Sequence, residues 1–561
     1  MFGTEQIEFL KNKNYLKKGE TLQDRINDIV EVVRTYEPMY SEGLADRIKD
    51  SIEQQILSPS TPQWANIGRP ARANSTDLPC SCNIITVPDS IAGIYYSIGE
   101  TAMLSKLGAG VGTDFSGVSD KGTYLDEGFH SNSKLDWIED TVRTSQKVSQ
   151  GATRRGYSVP FVSIDDTEFY DLLKRAHKTN PDKNDPFVDN NVGIILPKGF
   201  RERVSNGDGE ARKRFLTVLQ LRQADGKIYL LDVENCNKNQ SPVYEKLGHL
   251  VSATNICTEA ITPKYNDKTF ACVLSSLNLV HWDKIKANPQ IIKDAIMFLD
   301  IIVEEYIRLT DGVAFLDKAR RSAIEKRDIG LGTLGFHEYI QSKGCAYGDL
   351  KSRKLNKEIY STLRKYAEEA TQEMAEKLGS PKMCEDAGLV RRNVSLMMVA
   401  PNKSTSFICG NTSLGIEPFR SNYFIKALAG IQSVFKNKYL EALLEEKGQN
   451  TNEVWESIMS NLGSVKHLEF LTDEEKSIFK TASEISPKDM IDLAADRQEF
   501  IDMGQSLNLF NRPNYTIKDI YDMHKYAFDS GIKTLYYFYP QAHAAFEQNG
   551  DSWDTCESCA D

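Results

Sequence analysis

Ala253-Thr254-Asn255-Ile256-Cys257-Thr258-Glu259-Ala260 sets an amide, a thiol and a carboxylate two positions apart, as Asn255, Cys257 and Glu259. In an extended backbone residues two apart share a face, so this spacing predicts one small site holding all three side chains. Those groups suit an orienting residue, a nucleophile or radical carrier, and a general base. A buried cysteine in an ordinary strand has the same spacing, and the segment alone leaves both readings open.

Outward from this segment, short apolar runs alternate with helical patterns. Cys82 to Val87, Val192 to Leu196, Ile228 to Val233, Val394 to Val399 and Leu535 to Tyr539 read as buried strands. Ile291 to Leu309 and Lys354 to Leu378 read as helices between them. Strands alternating with helices predict a parallel, buried α/β core. Ahead of it, Leu22, Ile26, Ile29, Val30 and Val33 fall on one helical face, and Leu44, Ile48, Ile52 and Ile56 on another. These predict a small helical region over residues 1–57, stopped by the prolines of Ser58 to Pro62. The polar stretch Lys436 to Arg497 reads as surface helices rather than a separate domain. Residues 548–561 are acidic and poor in large apolar groups, which predicts a mobile tail after a main body of 58–547.

Composition narrows the class. Of 561 residues, 40% are hydrophobic and 26% charged, which is globular and excludes disorder. With 68 basic and 79 acidic residues the net charge is −11, against broad binding to a nucleic-acid backbone. No run approaches the roughly 18 apolar residues of a membrane span, and Met1 to Lys11 lacks the order of a secretory signal, so a cytoplasmic protein is expected. Ten cysteines are too sparse for a disulfide scaffold in a chain this long. Two of them, Cys556 and Cys559, stand three positions apart in the tail. That spacing fits either an exchangeable dithiol or half of a zinc site, although zinc wants two further ligands and His543 stands alone nearby.

Several segments together resemble the large subunit of class I ribonucleotide reductases, in that family's order. Asn255-Ile-Cys257-Thr-Glu259 resembles its active-site finger. Ser58-Pro-Ser-Thr-Pro62 and Pro79-Cys-Ser-Cys82 resemble its substrate-phosphate segment and first redox cysteine, and Phe270-Ala-Cys272-Val-Leu-Ser-Ser-Leu-Asn278 the strand with the second. Arg327-Asp-Ile-Gly-Leu-Gly332 and Ala400-Pro-Asn-Lys-Ser-Thr-Ser406 resemble further motifs, and Lys533-Thr-Leu-Tyr-Tyr537 the tyrosine pair of the radical path.

The resemblance implies a ten-stranded α/β barrel of two antiparallel five-stranded parallel halves, with the finger inside and the small helical region in front. It implies reduction of ribonucleotides, by preference diphosphates, to deoxyribonucleotides. Cys257 would carry a thiyl radical and abstract the 3′-hydrogen, Glu259 would take the 3′-hydroxyl proton, and Asn255 would hold that hydroxyl. Cys82 would protonate the departing 2′-hydroxyl and then form a disulfide with Cys272, which Cys556 and Cys559 would reduce by exchange. Cys80 is the other candidate for the first redox position; spacing to Asp89-Ser90 selects Cys82. Thr61, Ser81, Asn402, Ser404, Thr405 and Ser406 would hold the substrate phosphates, with Asn402 and Lys403 departing from the commoner pattern.

By the same resemblance a deoxynucleotide or ATP effector would bind near Asp89, Ser90 and Lys121 at a homodimer interface, with Gln150 and Arg154 on a relay loop. Ser119 stands where an arginine is expected. Only about 57 residues precede the barrel segment, so no N-terminal ATP-binding cone is expected. The sequence shows no carboxylate and histidine spacing of a di-metal site. The radical would therefore come through Tyr536 and Tyr537 from a metal-containing small subunit, with a thioredoxin- or glutaredoxin-like protein as reductant. A class II enzyme using adenosylcobalamin is the alternative, and a non-enzymatic zinc-binding interaction protein a more distant one.

Overall fold

A computed structural model describes residues 2–69, 78–125, 128, 130–148, 156–428 and 431–540. Five strands, Cys82–Thr86, Gly110–Asp114, Tyr157–Ser163, Val192–Leu196 and Ile228–Asp232, lie side by side in chain order and all parallel. Val192–Leu196 and Ile228–Asp232 are buried at every position, as strands covered on both faces must be.

A second parallel set starts with Leu274–Asn278 beside Gly330–Leu334. It continues through the parallel bridges Leu331 to Met397 and Val399 to Gln505. The Tyr536 N–H donates to the Leu507 carbonyl, and Leu509–Asn511 pairs in parallel with Phe538–Pro540. The two sets meet at two antiparallel seams. At one, Cys82–Thr86 pairs with Phe270–Cys272, which runs on into Leu274–Asn278. At the other, Ile228–Asp232 pairs with Thr534–Leu535. The result is the expected barrel of two antiparallel halves, closed so that neither half keeps a free edge at the seams.

A hairpin, Val251–Thr254 paired with Ile261–Pro263, packs inside against the strands Cys82–Thr86, Gly110–Asp114 and Ile228–Asp232. Its fit depends on two glycines. A Cβ on Gly112 would lie 2.4 Å from the Thr254 carbonyl oxygen and 3.0 Å from the Asn255 Cα, and one on Gly110 would lie 2.0 Å from Ile256 Cδ1. The hairpin tip is a turn rather than the extended run that a two-residue spacing suggested, with Thr258 in the left-handed region at φ 66°.

The helices Leu22–Tyr40 and Leu44–Glu53 form as their periodicity predicts, the first capped by Thr21, whose hydroxyl accepts from the Asp24 N–H at 3.1 Å. Their apolar faces join the main core together with Gln290–Leu309 and Leu350–Leu378. Gln290–Leu309 is buried over most of its surface, including the carboxylates Asp294, Asp300 and Glu305, which are paired there with basic side chains.

The stretch 436–497 departs from expectation in two ways. Its helices Lys438–Glu446, Asn452–Ser460 and Asp473–Ile478 build a small core of their own, around Leu440, Leu444, Trp455, Ile458 and Phe479. Pro487–Gln498 is not a surface helix; it packs on Leu350–Leu378 and buries Arg497. A hairpin of Tyr423–Leu428 and Ile431–Lys436 precedes them. Among the described residues no helix is long and apolar enough to cross a membrane.

Candidate active site

The hairpin tip holds its own geometry. The Asn255 amide oxygen accepts from the Ala260 N–H at 3.1 Å, and its NH2 group donates to Glu259 Oε1 at 2.8 Å and Cys82 Sγ at 2.9 Å. One buried amide therefore fixes the tip turn, the carboxylate and a sulfur on the neighbouring barrel strand. The side chains converge as the spacing predicted, but through a turn and a hydrogen bond instead of one strand face.

Cys82 and Cys272 occupy directly opposed positions in the seam pair. Opposed residues in antiparallel strands have Cα atoms about 4.5–5.5 Å apart, inside the range of about 4.4–6.8 Å that a disulfide spans. Their sulfurs and a Glu259 carboxylate oxygen all lie within 4.8 Å of one another. Among the described residues every cysteine is a buried free thiol, including Cys80, Cys236, Cys345, Cys384 and Cys409. The contact with Cys82 and then burial push the Cys272 thiol well above its ordinary value, so it is held as S–H. Three donors this close would reach one ion, but structural zinc takes four ligands and wants thiolates, which this environment disfavours.

A narrow cleft opens over these groups, walled by Ser58, Ser60, Ser81, Cys82, Cys257, Glu259, Ser276, Asn402 and Thr405 among others. It unites segments from both barrel halves, the finger and the helix Lys403–Ile408. Of the expected phosphate contacts, Ser81, Asn402 and Thr405 are on the wall. Thr61, Ser404 and Ser406 are buried beside it without lining it, and Ser406 donates to the Lys403 carbonyl. The Asn402 amide is engaged by Ser276, Thr405, the Thr333 carbonyl and the Ala400 carbonyl, with its backbone at φ 57°. Ser58 and Ser60, which the sequence reading passed over in favour of Thr61, stand on the wall instead.

Burial raises the Glu259 carboxyl above the usual range, opposed by hydrogen bonds from Asn255, its own N–H and Ser506. Behind Cys257, the Tyr536 hydroxyl donates to its sulfur at 3.6 Å. Tyr536 and Tyr537 have ring centroids 4.3 Å apart, and Tyr537 and Tyr539 5.2 Å. Arg420 lies over the Tyr539 ring at 4.4 Å. Tyr229 touches both members of the pair, at 4.7 and 5.2 Å, and the Asn191 amide donates to the Tyr537 hydroxyl at 3.1 Å. Burial, before the neighbouring Cys257 and tyrosines, holds the Tyr536 phenol well above its ordinary value.

Two further residues brace this assembly. The Lys533 ammonium donates to the Asn239, Asp502, Met503 and Ile501 carbonyls at 2.6–3.3 Å, tying the tyrosine strand to the loop that carries Ser506. Thr534 Oγ1 lies within hydrogen-bonding distance of the Thr258 and Gln505 carbonyls, at 2.8 and 3.1 Å.

Away from the cleft, Asp89 and Ser90 are exposed at the start of helix Ile91–Lys106. Asp89 accepts from the Ser119 N–H and hydroxyl at 3.0 and 2.5 Å, so the residue in place of the expected arginine is its partner here. Ser90 caps the helix through the Gly93 N–H at 3.1 Å. Lys121 is exposed nearby. Gln150, Arg154, Cys556 and Cys559 lie outside the described residues.

A family model described as the ribonucleotide reductase barrel domain matches residues 80–212, 209–386 and 383–538. The ribonucleoside-diphosphate reductase large subunit of Invertebrate iridescent virus 3 is 29% identical over 573 residues, covering 89% of this chain and 88% of that protein. A putative large subunit of the same name from Frog virus 3 is 27% identical and covers 95% and 96%. Among solved structures, the class Id ribonucleotide reductase alpha subunit of Actinobacillus ureae superposes with a TM-score of 0.87 at 34% identity, over 96% of this chain and 97% of that one.

Proposed function

The chain belongs to the ribonucleotide reductase family as a large subunit and acts in ribonucleotide reduction, and on that premise we propose that Cys257 carries the thiyl radical. The observation that supports this most directly is the line Tyr536 hydroxyl, Cys257 sulfur, cleft. A large subunit works with a small-subunit partner, which supplies the oxidising equivalent when bound. Tyr537 and Tyr536 pass it inward. Tyr536, oxidised, takes a hydrogen atom from the Cys257 S–H, leaving the sulfur radical. That sulfur removes hydrogen from the 3′-carbon of a ribonucleotide in the cleft, while Glu259 accepts the 3′-hydroxyl proton and Asn255 orients the two. Cys82 gives the proton with which the 2′-hydroxyl leaves as water. Cys82 and Cys272 then supply two electrons by forming one S–S bond, with the Cys272 hydrogen going to the 2′-carbon and the proton on Glu259 returning to the 3′-oxygen, and Cys257 returns its hydrogen to the 3′-carbon, which restores the sulfur radical.

The enclosed finger supports such a radical by keeping bulk water away. We assign diphosphates as substrate, in line with the names of the relatives, and a metal-containing small subunit as radical source. The relatives do not favour the adenosylcobalamin alternative. Ser81, Asn402, Thr405 and their buried neighbours Thr61, Ser404 and Ser406 form the phosphate end. Asp89, Ser90, Lys121, Gln150 and Arg154 form the effector site. The paired helices Ile91–Lys106 and Lys134–Val148 leave Ile91 and Tyr95 62% and 56% exposed, which supports a homodimer there. Cys556 and Cys559 would relay electrons from a thioredoxin- or glutaredoxin-like protein in the cytoplasm.

The test is conversion of labelled CDP by the wild type and by Cys257→Ser, with and without small subunit, using a chemical dithiol. Deoxynucleotide formed only by the wild type with small subunit is expected. Retained turnover by Cys257→Ser would overturn the assignment.

A further inference from the structure

Ser506 lies on the loop between the bridges to Val399 and the Tyr536 strand, is buried, and does not line the cleft. Its hydroxyl oxygen is 2.5 Å from the Cys257 carbonyl oxygen and 3.0 Å from Glu259 Oε2. Glu259 Oε1 is already taken by Asn255, so Ser506 is the partner of the other carboxylate oxygen. A serine hydroxyl has one proton to give and lone pairs to accept with.

That single proton cannot serve both neighbours. With Glu259 protonated on Oε2, the carboxyl donates to Ser506 and Ser506 donates to the Cys257 carbonyl. With Glu259 ionised, the Ser506 proton must turn to the carboxylate, and the Cys257 carbonyl loses its bond. We propose that Ser506 is a positioning residue that couples the protonation of Glu259 to the tethering of the Cys257 backbone. It holds the finger closed when the carboxyl carries a proton and stabilises the carboxylate when it does not. This deepens the reading of Glu259 as the base of the reaction and rests on it.

The surroundings leave Ser506 in control of that oxygen. The seam strands present the Cys82 and Cys272 thiols, and the finger presents Cys257. The 533–538 segment presents the Tyr536 phenol to Cys257, and its Lys533 ammonium is engaged by four backbone carbonyls. On Ser506's own loop, the Asp502 carboxylate is engaged by the Leu396 and Met397 N–H groups and by Arg364. None of these charges bonds Glu259.

A hydrogen bond to a charged acceptor is worth more than one to a neutral group, so losing the hydroxyl disfavours the ionised carboxyl. In Ser506→Ala the acid limb of kcat against pH should move up by about one unit, with KM for CDP unchanged and with Ser506→Thr restoring the wild-type profile. Difference infrared spectroscopy of the purified chain, without turnover, reads the same shift in the carboxyl C=O band that Glu259→Gln removes. Should Ser506→Ala not fold, Ser506→Cys, which keeps the size and weakens the donor, carries the comparison. A profile and an infrared titration both superimposable on the wild type would overturn the proposal. Failure of the underlying reading looks different: Glu259→Gln would then keep turning over CDP, whatever the Ser506 variants do.

Discussion

Cys82 and Cys272 face each other across the antiparallel seam that joins the two halves of the barrel. Each strand is held by its own parallel half, so the two sulfurs are brought together by closure of the whole sheet. A disulfide between them needs little movement of backbone already at the right separation.

With Cys556 and Cys559 replaced by serine, so that the tail cannot take over the disulfide, a single turnover without external reductant should therefore consume two thiols per chain, both mapping to Cys82 and Cys272. Thiol titration followed by peptide mapping checks this. Cys272→Ser should lose sustained turnover with a chemical dithiol, and thiols lost elsewhere in that tail variant would contradict the assignment.

Tyr536→Phe keeps the ring that packs on Tyr229 and Tyr537 and removes only the O–H that reaches Cys257. The stability cost is that of one hydrogen bond, about 1 kcal/mol. Deoxynucleotide formation should nevertheless disappear while binding of CDP is retained. Calorimetry of substrate binding alongside a product assay separates these outcomes.

Gly112→Ala tests the seat of the finger. Its Cβ would fall 2.4 Å from the Thr254 oxygen, a backbone atom that cannot swing aside. Relief requires the tip to shift, at a cost of about 1–3 kcal/mol. A shift of about 1 Å at Cys257 should lower kcat by roughly a hundredfold. Steady-state kinetics with thermal unfolding measures both, and an unaltered kcat would show that the finger tolerates displacement.

Asp300 makes a stability prediction with a pH sign. Fully buried, its carboxylate accepts from Arg327, Asn393 and Tyr40 at 2.6–2.9 Å and from Arg392 at 3.3 Å. Burial opposes ionisation, but the Arg327 and Arg392 charges and these hydrogen bonds outweigh it and hold the carboxyl below the usual range. Its contribution is therefore complete above the ordinary aspartate value of about 3.9 and is lost as pH falls through the lower folded value. Asp300→Ala leaves the buried Arg327 guanidinium and the half-buried Arg392 short of a partner and should cost about 3–5 kcal/mol near neutrality. Denaturant melts across pH should show this gap narrowing only in acid.

Much of the architecture was legible along the chain. Val192–Leu196 and Ile228–Asp232 announce themselves as unbroken apolar runs because both faces are covered. Gly110–Asp114 does not: its glycines, required by the finger against it, remove the apolar side chains that mark a strand. The 395–399 segment forms only isolated bridges where a strand was expected. In the 436–497 stretch a small separate core was hidden in a polar average, since a pair of buried apolar residues on each of two short helices, with Val465, Leu468, Leu471 and Phe479 from the segments after them, suffice for it.

The sequence by itself determined which chemical groups are present and how they are spaced locally: Asn255, Cys257 and Glu259, the adjacent tyrosines, and the strand and helix rhythm of an α/β barrel. Only the tertiary structure decided that Cys82 meets Cys272, that Ser58 and Ser60 face the cleft while Thr61 does not, and that Ser506 and Tyr229 belong to the site at all. The reason is physical. Periodicity encodes which face of an element is buried, whereas the partner on the other side of that face is set by strand register and sheet closure across hundreds of residues. A serine or a tyrosine carries no sign of its role until that closure brings a carboxylate or a sulfur within hydrogen-bonding reach.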